Sequence, residues 1–366
     1  MAGTGPIGTI GTIGTIGTIG IVAGRHCRTT ITNTEDALTN SENNGFAGLL
    51  PELGSNPIIG GLVGLLCGDA LGVPYEFHPP EALPRRDLIE MTPPDGFPCV
   101  HDVPPGTMSD DGSQALCLAE SLLDQGHFSL TDFADRLLRW YDEGYLAVDG
   151  HRFDCGLQTA DALDRLRDGV PPHQSGGKDE RSAGNGSLMR ILPLALWHTG
   201  SDEELVRDAG RQSLVTHAHP RPQVCCAFYC LVARGYLHRL HDPWSWADSR
   251  LEEIYNGFDG QERQALLREL DVLRNFPRTN KPTGSGYCVD TIWSVRSAME
   301  EESFEDVVKT AILFGHDTDT TAAIAGGLAG IRSGGIAGLP VRWLEQLRGF
   351  ELVEPLIARF VTASHC

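Results

Sequence analysis

Two short runs of acidic and hydroxyl residues hold the side chains best suited to chemistry in this sequence. In "FGHDTDTTAAIAGGLAG", Asp317 and Asp319 flank Thr318, and Thr320 begins a run of small residues. Far upstream, "GTMSDDGSQALCLAESLL" sets Ser109, Asp110 and Asp111 before an apolar helical pattern. Each run stands at a helix entrance, and two readings are open for each alone. Ser and Asp at N-cap and first-turn positions accept free backbone N–H bonds and complement the helix dipole. Brought together, the four aspartates would repel one another and need a counter-charge, which a divalent cation supplies. The ligand atoms on offer are carboxylate and hydroxyl oxygens, which suit Mg²⁺, Mn²⁺ or Ca²⁺ rather than zinc.

Further pieces lie between the runs. "GDALGVPYEF" ends a helix near Gly72 and delivers Glu76 on an extended segment, as a loop residue or a further ligand. "RSAGNGSLMRILPLAL" carries Asn185, Gly186 and Ser187 in a glycine-rich polar turn whose N–H groups suit a diphosphate. It lacks the lysine of a P-loop, so an ordinary tight turn is the other reading. "THAHP" offers His217, and "GSGYCVDTIW" sets Tyr287 and Asp290 at another helix entrance, where Tyr287 either stacks on a base or packs.

The elements that must position these residues are helices. "SQALCLAESLLDQG" puts Ala115, Leu118, Ala119 and Leu122 on one face and stops at Gly126. "TDFADRLLRWYDEGYL" has Thr131 as its N-cap, and "LQTADALDRLRDG" closes on Gly169. "VRWLEQLRGFELVEPLIARF" reads as another helix, and the charge-rich stretch 240–282 as a peripheral helical insertion. Convincing alternating strands are absent, so the expected fold is all-α over residues 56–366. Gly61, Gly64 and Gly68 fall on one face of "GGLVGLLCGDALG", and Ala325, Gly326, Ala329 and Gly330 recur after Asp319. Several glycines in a helix interior, each costing roughly 0.8–1.0 kcal/mol relative to alanine, imply a compensating close approach. The two helices are expected to pack together.

Composition sets outer bounds. The chain has 366 residues, of which 41% are hydrophobic, and a formal net charge of -20. Such acidity repels phosphate backbones and anionic lipid, so neither nucleic acid nor a membrane surface is an expected partner. The ten cysteines show no paired CxxC spacing; "VCCAFYCLVARGYL" reads as buried reduced thiols in a cytosolic protein. "IIGGLVGLLCGDALGV" is interrupted by Asp69 and short for a membrane span. Residues 1–55, with their GTI repeats and a polar run, read as a disordered low-complexity leader without the basic start of a Sec signal. Secretion through this leader is the alternative to a cytoplasmic location.

The motifs together resemble the ADP-ribosylglycohydrolase family, which includes the dinitrogenase reductase-activating glycohydrolases and the ADP-ribosyl-arginine and ADP-ribosyl-serine hydrolases. The resemblance covers most of residues 58–345 and keeps family order through "GLLCGDALGVPYEF", "SDDGSQALCLAESLL", "FDCGLQTADAL", "SAGNGSLMRILPLAL", "THAHP", "GSGYCVDT" and "GHDTDTTAAIAGGLAG". It implies an orthogonal helical bundle with a binuclear Mg²⁺ site. By the same resemblance, Ser109, Asp110 and Asp111 bind one metal, Asp317, Thr320 and Glu76 the other, and Asp319 bridges them. Asp110 and Asp111 are the candidates to take a proton from water, and Glu76 stands with them as a catalytic carboxylate. Asn185, Gly186 and Ser187 are implied near the diphosphate, His217 near the ribose, and Tyr287 as an adenosine contact. Gly112 departs from the family's T-D-D-T pattern and is expected to loosen the first helical turn.

The implied activity is Mg²⁺-dependent hydrolysis of an ADP-ribosyl glycosidic bond, releasing ADP-ribose from a modified protein, with arginine as first acceptor. Three competing readings stay open here. One is an ADP-ribose-binding or toxin-immunity protein without turnover, one a purely structural cation site, and one a hydrolase of a free ADP-ribosyl nucleotide.

Overall fold

The computed structural model of the chain describes residues 1–3 and 45–363. Among these, helices are joined by turns, with two isolated bridges and no strand, as the all-α expectation requires. The leader expected over residues 1–55 lies outside the described residues from 4 to 44. Packing nonetheless begins at Gly45, ahead of the boundary expected at residue 56. Phe46 and Leu49 are fully buried, and Phe46 meets the Phe350 ring edge-on at 5.1 Å. "GFAGLL" is the apolar end of a polar run, and it fills a site on the core.

The longer helices, in chain order, are α1 (Pro57–Gly72), α2 (Asp110–Gln125), α3 (Leu130–Glu143), α4 (Leu157–Arg167), α5 (Leu192–Trp197), α6 (Asp202–Ser213), α7 (Pro220–Leu237), α8 (Pro243–Asn256), α9 (Gly260–Thr279), α10 (Cys288–Ala298), α11 (Phe304–Ile312), α12 (Thr318–Arg332) and α13 (Phe350–Ala363). Helices α1 and α12 form the centre and are buried almost throughout. They pack as the small residues lead one to expect, along a seam spaced by four. A Cβ on Gly60 would stand 2.5 Å from the Gly330 carbonyl oxygen. One on Gly64 or Gly68 would press on the carbonyls of Gly326 and Ala322, and one on Gly72 on the backbone of Asp319. Gly61, expected on this seam, instead faces Ile331 and Leu196. The close approach has a functional result: it brings the start of α12, with Asp319, against the end of α1, from which the chain runs on to Glu76.

Gly68→Ala tests the seam. Helix propensity alone would make alanine about 1 kcal/mol more stabilising than glycine. Forcing a methyl into backbone atoms instead costs about 1–3 kcal/mol. A lowered urea midpoint is expected; a raised one would contradict the packing.

Elsewhere the structure adjusts details. Helix α3 is capped by Ser129, whose hydroxyl accepts from Asp132 N at 3.3 Å, and Thr131 lies inside the helix. "VRWLEQLRGFELVEPLIARF" is not one helix but a short turn, Val341–Leu344, and α13, broken at Gly349, whose φ is +82°. Helices α8 and α9 lie on α7. Cys225, Cys226 and Cys230 are buried on α7, and the described cysteines are all free, with Cys99 exposed. Pro57–Tyr75 is long and apolar enough to cross a membrane (mean hydropathy 1.6), but 94% of it is buried inside the fold. Burial, more than the interruption at Asp69, accounts for its apolar character.

Candidate metal centre and ligand cavity

Helices α2 and α12 begin side by side, so the two acidic runs meet. Thr320 Oγ1 donates to Asp111 Oδ2 at 3.2 Å, across 209 positions of sequence. Glu76 arrives on an extended residue after the turn Val73–Tyr75. Carboxylate oxygens of Glu76, Asp317 and Asp319 lie within 4.8 Å of one another. Ser109, Asp110, Asp111, Asp319 and Thr320 are all buried.

Ser109 caps α2 through its hydroxyl, but capping does not account for the aspartates. Asp317 is the N-cap residue of α12, yet its side chain caps nothing; Oδ2 accepts from Asn185 Nδ2 at 2.7 Å. Asp110 Oδ2 accepts from Gln114 Nε2 at 3.0 Å. Asp319 Oδ1 takes the adjacent N–H of Thr320 at 2.8 Å. Two carboxylate oxygens, Asp111 Oδ1 and Asp319 Oδ2, are buried with no hydrogen-bond partner among the described residues. An unpaired buried carboxylate oxygen is costly, and two of them in acidic runs joined by the Thr320–Asp111 bond mark a place for a cation. The donors are oxygens, which fits a hard divalent ion.

Electrostatics agree. Burial first, and then neighbouring carboxylates, push Asp110, Asp111 and Asp319 well above the usual carboxylate range. Glu76 is pushed up to about 10 by burial, then by Asp154, Asp317, Asp110 and Asp69. Carboxylates in this state hold protons unless a cation displaces them.

A cavity of about 550 Å³ opens above the cluster. Of the expected residues, Glu76, Asp110, Asn185, Gly186, His217, Asp317 and Thr320 line it. Ser109, Asp111 and Asp319 are not on its wall but are joined to those that are. Two expected substrate contacts fall elsewhere. Ser187 turns its hydroxyl into the core, 2.7 Å from Ser213 Oγ, so only its backbone faces the turn. Tyr287 stands at the N-terminal boundary of α10 and lines a separate groove with Phe276, with the Arg221 guanidinium 5.8 Å from its ring centre. The turn itself is held by Asn185 N donating to Gly286 O at 3.0 Å and by Leu188 N and Met189 N donating to Asn185 O. The N–H groups of Gly186 and Ser187 donate to nothing among the described residues; that of Gly186, on the cavity wall, is left for a ligand, whereas Ser187 is fully buried. Asp290 shapes the facing loop by accepting from Thr283 and Ser285, each through backbone and hydroxyl.

Several site residues were missed at the level of sequence. Asp154 lines the cavity at a φ of +50°, and His101 Nε2 lies 2.6 Å from Glu76 Oε2; the three form a second close group. Asp69 sits buried under α2 and accepts from Ser109 N and Gly112 N at 2.9 and 2.8 Å. It is a second cap of α2, supplied by α1, beside Ser109, whose hydroxyl accepts from Asp111 N at 3.3 Å, and burial pushes it up to about 7. Gly112 is explained by it. A Cβ there would stand 2.8 Å from Asp69 Oδ2 and from Met108 Sδ. The glycine therefore tightens the seat of the turn rather than loosening it.

Comparison with known proteins agrees with this geometry. A family model described as ADP-ribosylglycohydrolase matches residues 54–365. The chain is 30% identical to the ADP-ribosylarginine hydrolase of Pseudomonas putida, over 84% of this chain and 78% of that one. It is 27% identical to the ADP-ribosyl-dinitrogen reductase glycohydrolase of Rhodospirillum rubrum, over 79% and 89%. A solved structure titled ADP-ribosylglycohydrolase-related protein complex superposes with a TM-score of 0.65 at 31% identity, covering 85% of this chain and 98% of the other.

Proposed function

The chain belongs to the ADP-ribosylglycohydrolase family, and from that premise we propose that it hydrolyses the bond between ADP-ribose and a modified arginine on a protein, using two Mg²⁺ ions, with Mn²⁺ as a substitute. It is a hydrolase of the ADP-ribosyl linkage and, like its family, metal-dependent. The observation that carries the metal reading is the pair of partnerless buried oxygens, Asp111 Oδ1 and Asp319 Oδ2, beneath the cavity.

Ser109, Asp110, Asp111, Glu76, Asp317, Asp319 and Thr320 would hold the ions. Bound there, they supply Lewis-acid polarisation and orientation of the sugar hydroxyls and of a water. The protein's own groups do the rest. Asp110 or Asp111 takes the proton of the attacking water. The surrounding carboxylates favour the positive, oxocarbenium-like transition state. The free N–H group of Gly186, on the cavity wall, receives the diphosphate, and His217 faces the ribose.

The acceptor reading rests on Asp154. Arginine leaves as a protonated guanidinium, and Asp154 sets a carboxylate on the cavity wall beside Glu76. Asp154→Asn is expected to lower kcat/KM on ADP-ribosylarginine by roughly 10–100-fold, the order of losing one charge-assisted hydrogen bond of about 1.5–3 kcal/mol. The same change should leave ADP-ribosylserine turnover little altered. Equal losses on both acceptors, measured side by side, would count against arginine. A cytoplasmic location is proposed on the same footing.

A further inference from the structure

Arg190 is fully buried, has no carboxylate hydrogen-bond partner among the described residues, and reaches three parts of the site. Its Nη1 donates to Gln114 Oε1 at 2.7 Å, Nη2 to Thr216 Oγ1 at 2.7 Å, and Nε to Gln212 Oε1 at 3.3 Å. A guanidinium only donates, so each partner must present an acceptor to it and is left to donate onward. Gln114 turns its amide N–H to Asp110 Oδ2 at 3.0 Å. Gln212 turns its own to the Ser187 carbonyl at 2.8 Å, behind the Asn185–Gly186–Ser187 turn. Thr216 Oγ1 lies 2.8 Å from His217 Nδ1.

The last arm fixes a proton. Thr216 is fully buried, and its hydroxyl hydrogen has no acceptor but His217 Nδ1 among the described residues. A buried hydroxyl left undonated is costly. Nδ1 therefore accepts, and the ring hydrogen sits on Nε2. That nitrogen has no hydrogen-bond partner among the described residues, and the Cε1–Nε2 edge faces Gly184 and Gly186 on the cavity wall. We propose that Arg190 is a positioning residue which, through Thr216, holds His217 as the Nε2–H tautomer, so that the imidazole donates to a ligand oxygen and does not accept a proton there. The ligand is an oxygen-rich anion or sugar; naming it ADP-ribose rests on the functional reading above. Burial and the Arg190 charge also push His217 down to about 3, which agrees with a ring that stays neutral.

The test is nitrogen NMR on the full chain labelled at histidine, with the His217 signals identified by their loss in His217→Phe. The wild type is expected to show the Nε2–H pattern, with Nδ1 unprotonated, at pH 6. Thr216→Val should release the tautomer to a mixture and weaken ADP-ribose binding about tenfold; Thr216→Ser should restore both. Arg190→Gln, which can present an acceptor to Thr216, should release the tautomer as well. If that variant does not fold, Thr216→Val carries the test of the same arm. An Nδ1–H or doubly protonated ring in the wild type, or an unaltered tautomer in Thr216→Val, would overturn the proposal. The expected tautomer in a wild type that does not bind ADP-ribose would overturn the functional reading and leave the relay standing.

Discussion

Asp319→Asn is expected to reduce ADP-ribose release by about 10³-fold while raising the melting temperature of the metal-free chain by a few degrees. The two effects have one cause. Asp319 is buried, its Oδ2 has no hydrogen-bond partner among the described residues, and burial, followed by Glu76, Asp111 and Asp317, works against its charge. Asparagine keeps the shape and is neutral without having to take up a proton on folding, so the empty site becomes less costly. The same change removes a ligand whose cation supplies several kcal/mol to the transition state. A residue with only a structural role would not move activity and stability in opposite directions. Thermal melting in EDTA and turnover in excess Mg²⁺ are the two measurements, and a fall in both would point to ordinary misfolding.

The second large effect is a reversal of pH dependence by cation. Glu76 is raised from 4.5 to about 10 in the fold. Between those values the folded state keeps a proton that the unfolded state has released. Stability of the metal-free chain is therefore greatest below the unfolded value and falls as pH rises through this window. One such proton sets a ceiling on the order of 4 kcal/mol over three pH units, and the neighbouring aspartates, shifted in the same direction, add to the slope. A divalent cation binds the deprotonated form. Its stabilisation, about 2.7 kcal/mol at a hundredfold excess over Kd, should be larger at pH 8 than at pH 5. Melting curves at both values, with Mg²⁺ and with EDTA, check the sign. A metal-free chain that gains stability from pH 5 to pH 8 would contradict the buried-carboxylate account.

Much of this site was legible in the chain because its residues sit at helix starts, where type and spacing carry meaning. Ser109, Asp110 and Asp111 before one apolar pattern, and Asp317 and Asp319 before a run of small residues, could be picked out without coordinates. The small residues also announced the α1–α12 contact. A face drawn from Gly61 rather than Gly60 is an error of one position, and only the partner helix decides between them. What stayed hidden depends on three dimensions. Asp69 caps a helix other than its own, so in sequence it looks like a flaw in an apolar run. Asp154 and His101 lie in loops without a period. Ser187 and Tyr287 stand beside the cavity residues in sequence, but side-chain direction in a turn is not readable there. Arg190 did leave a signal. A lone charge inside "SLMRILPLAL" is either exposed or buried for a reason, and the apolar residues around it favoured burial. Gly349 after Arg348 was likewise a readable helix stop.

The central claim is a metal-dependent release of ADP-ribose, and the most direct measurement is made on mono-ADP-ribosylated arginine protein, with Mg²⁺ and again with EDTA. Free ADP-ribose appearing with Mg²⁺, and suppressed by EDTA, is the predicted result. Release that continues undiminished in EDTA, or no release while ADP-ribose binds the chain in a Mg²⁺-dependent way, would contradict it.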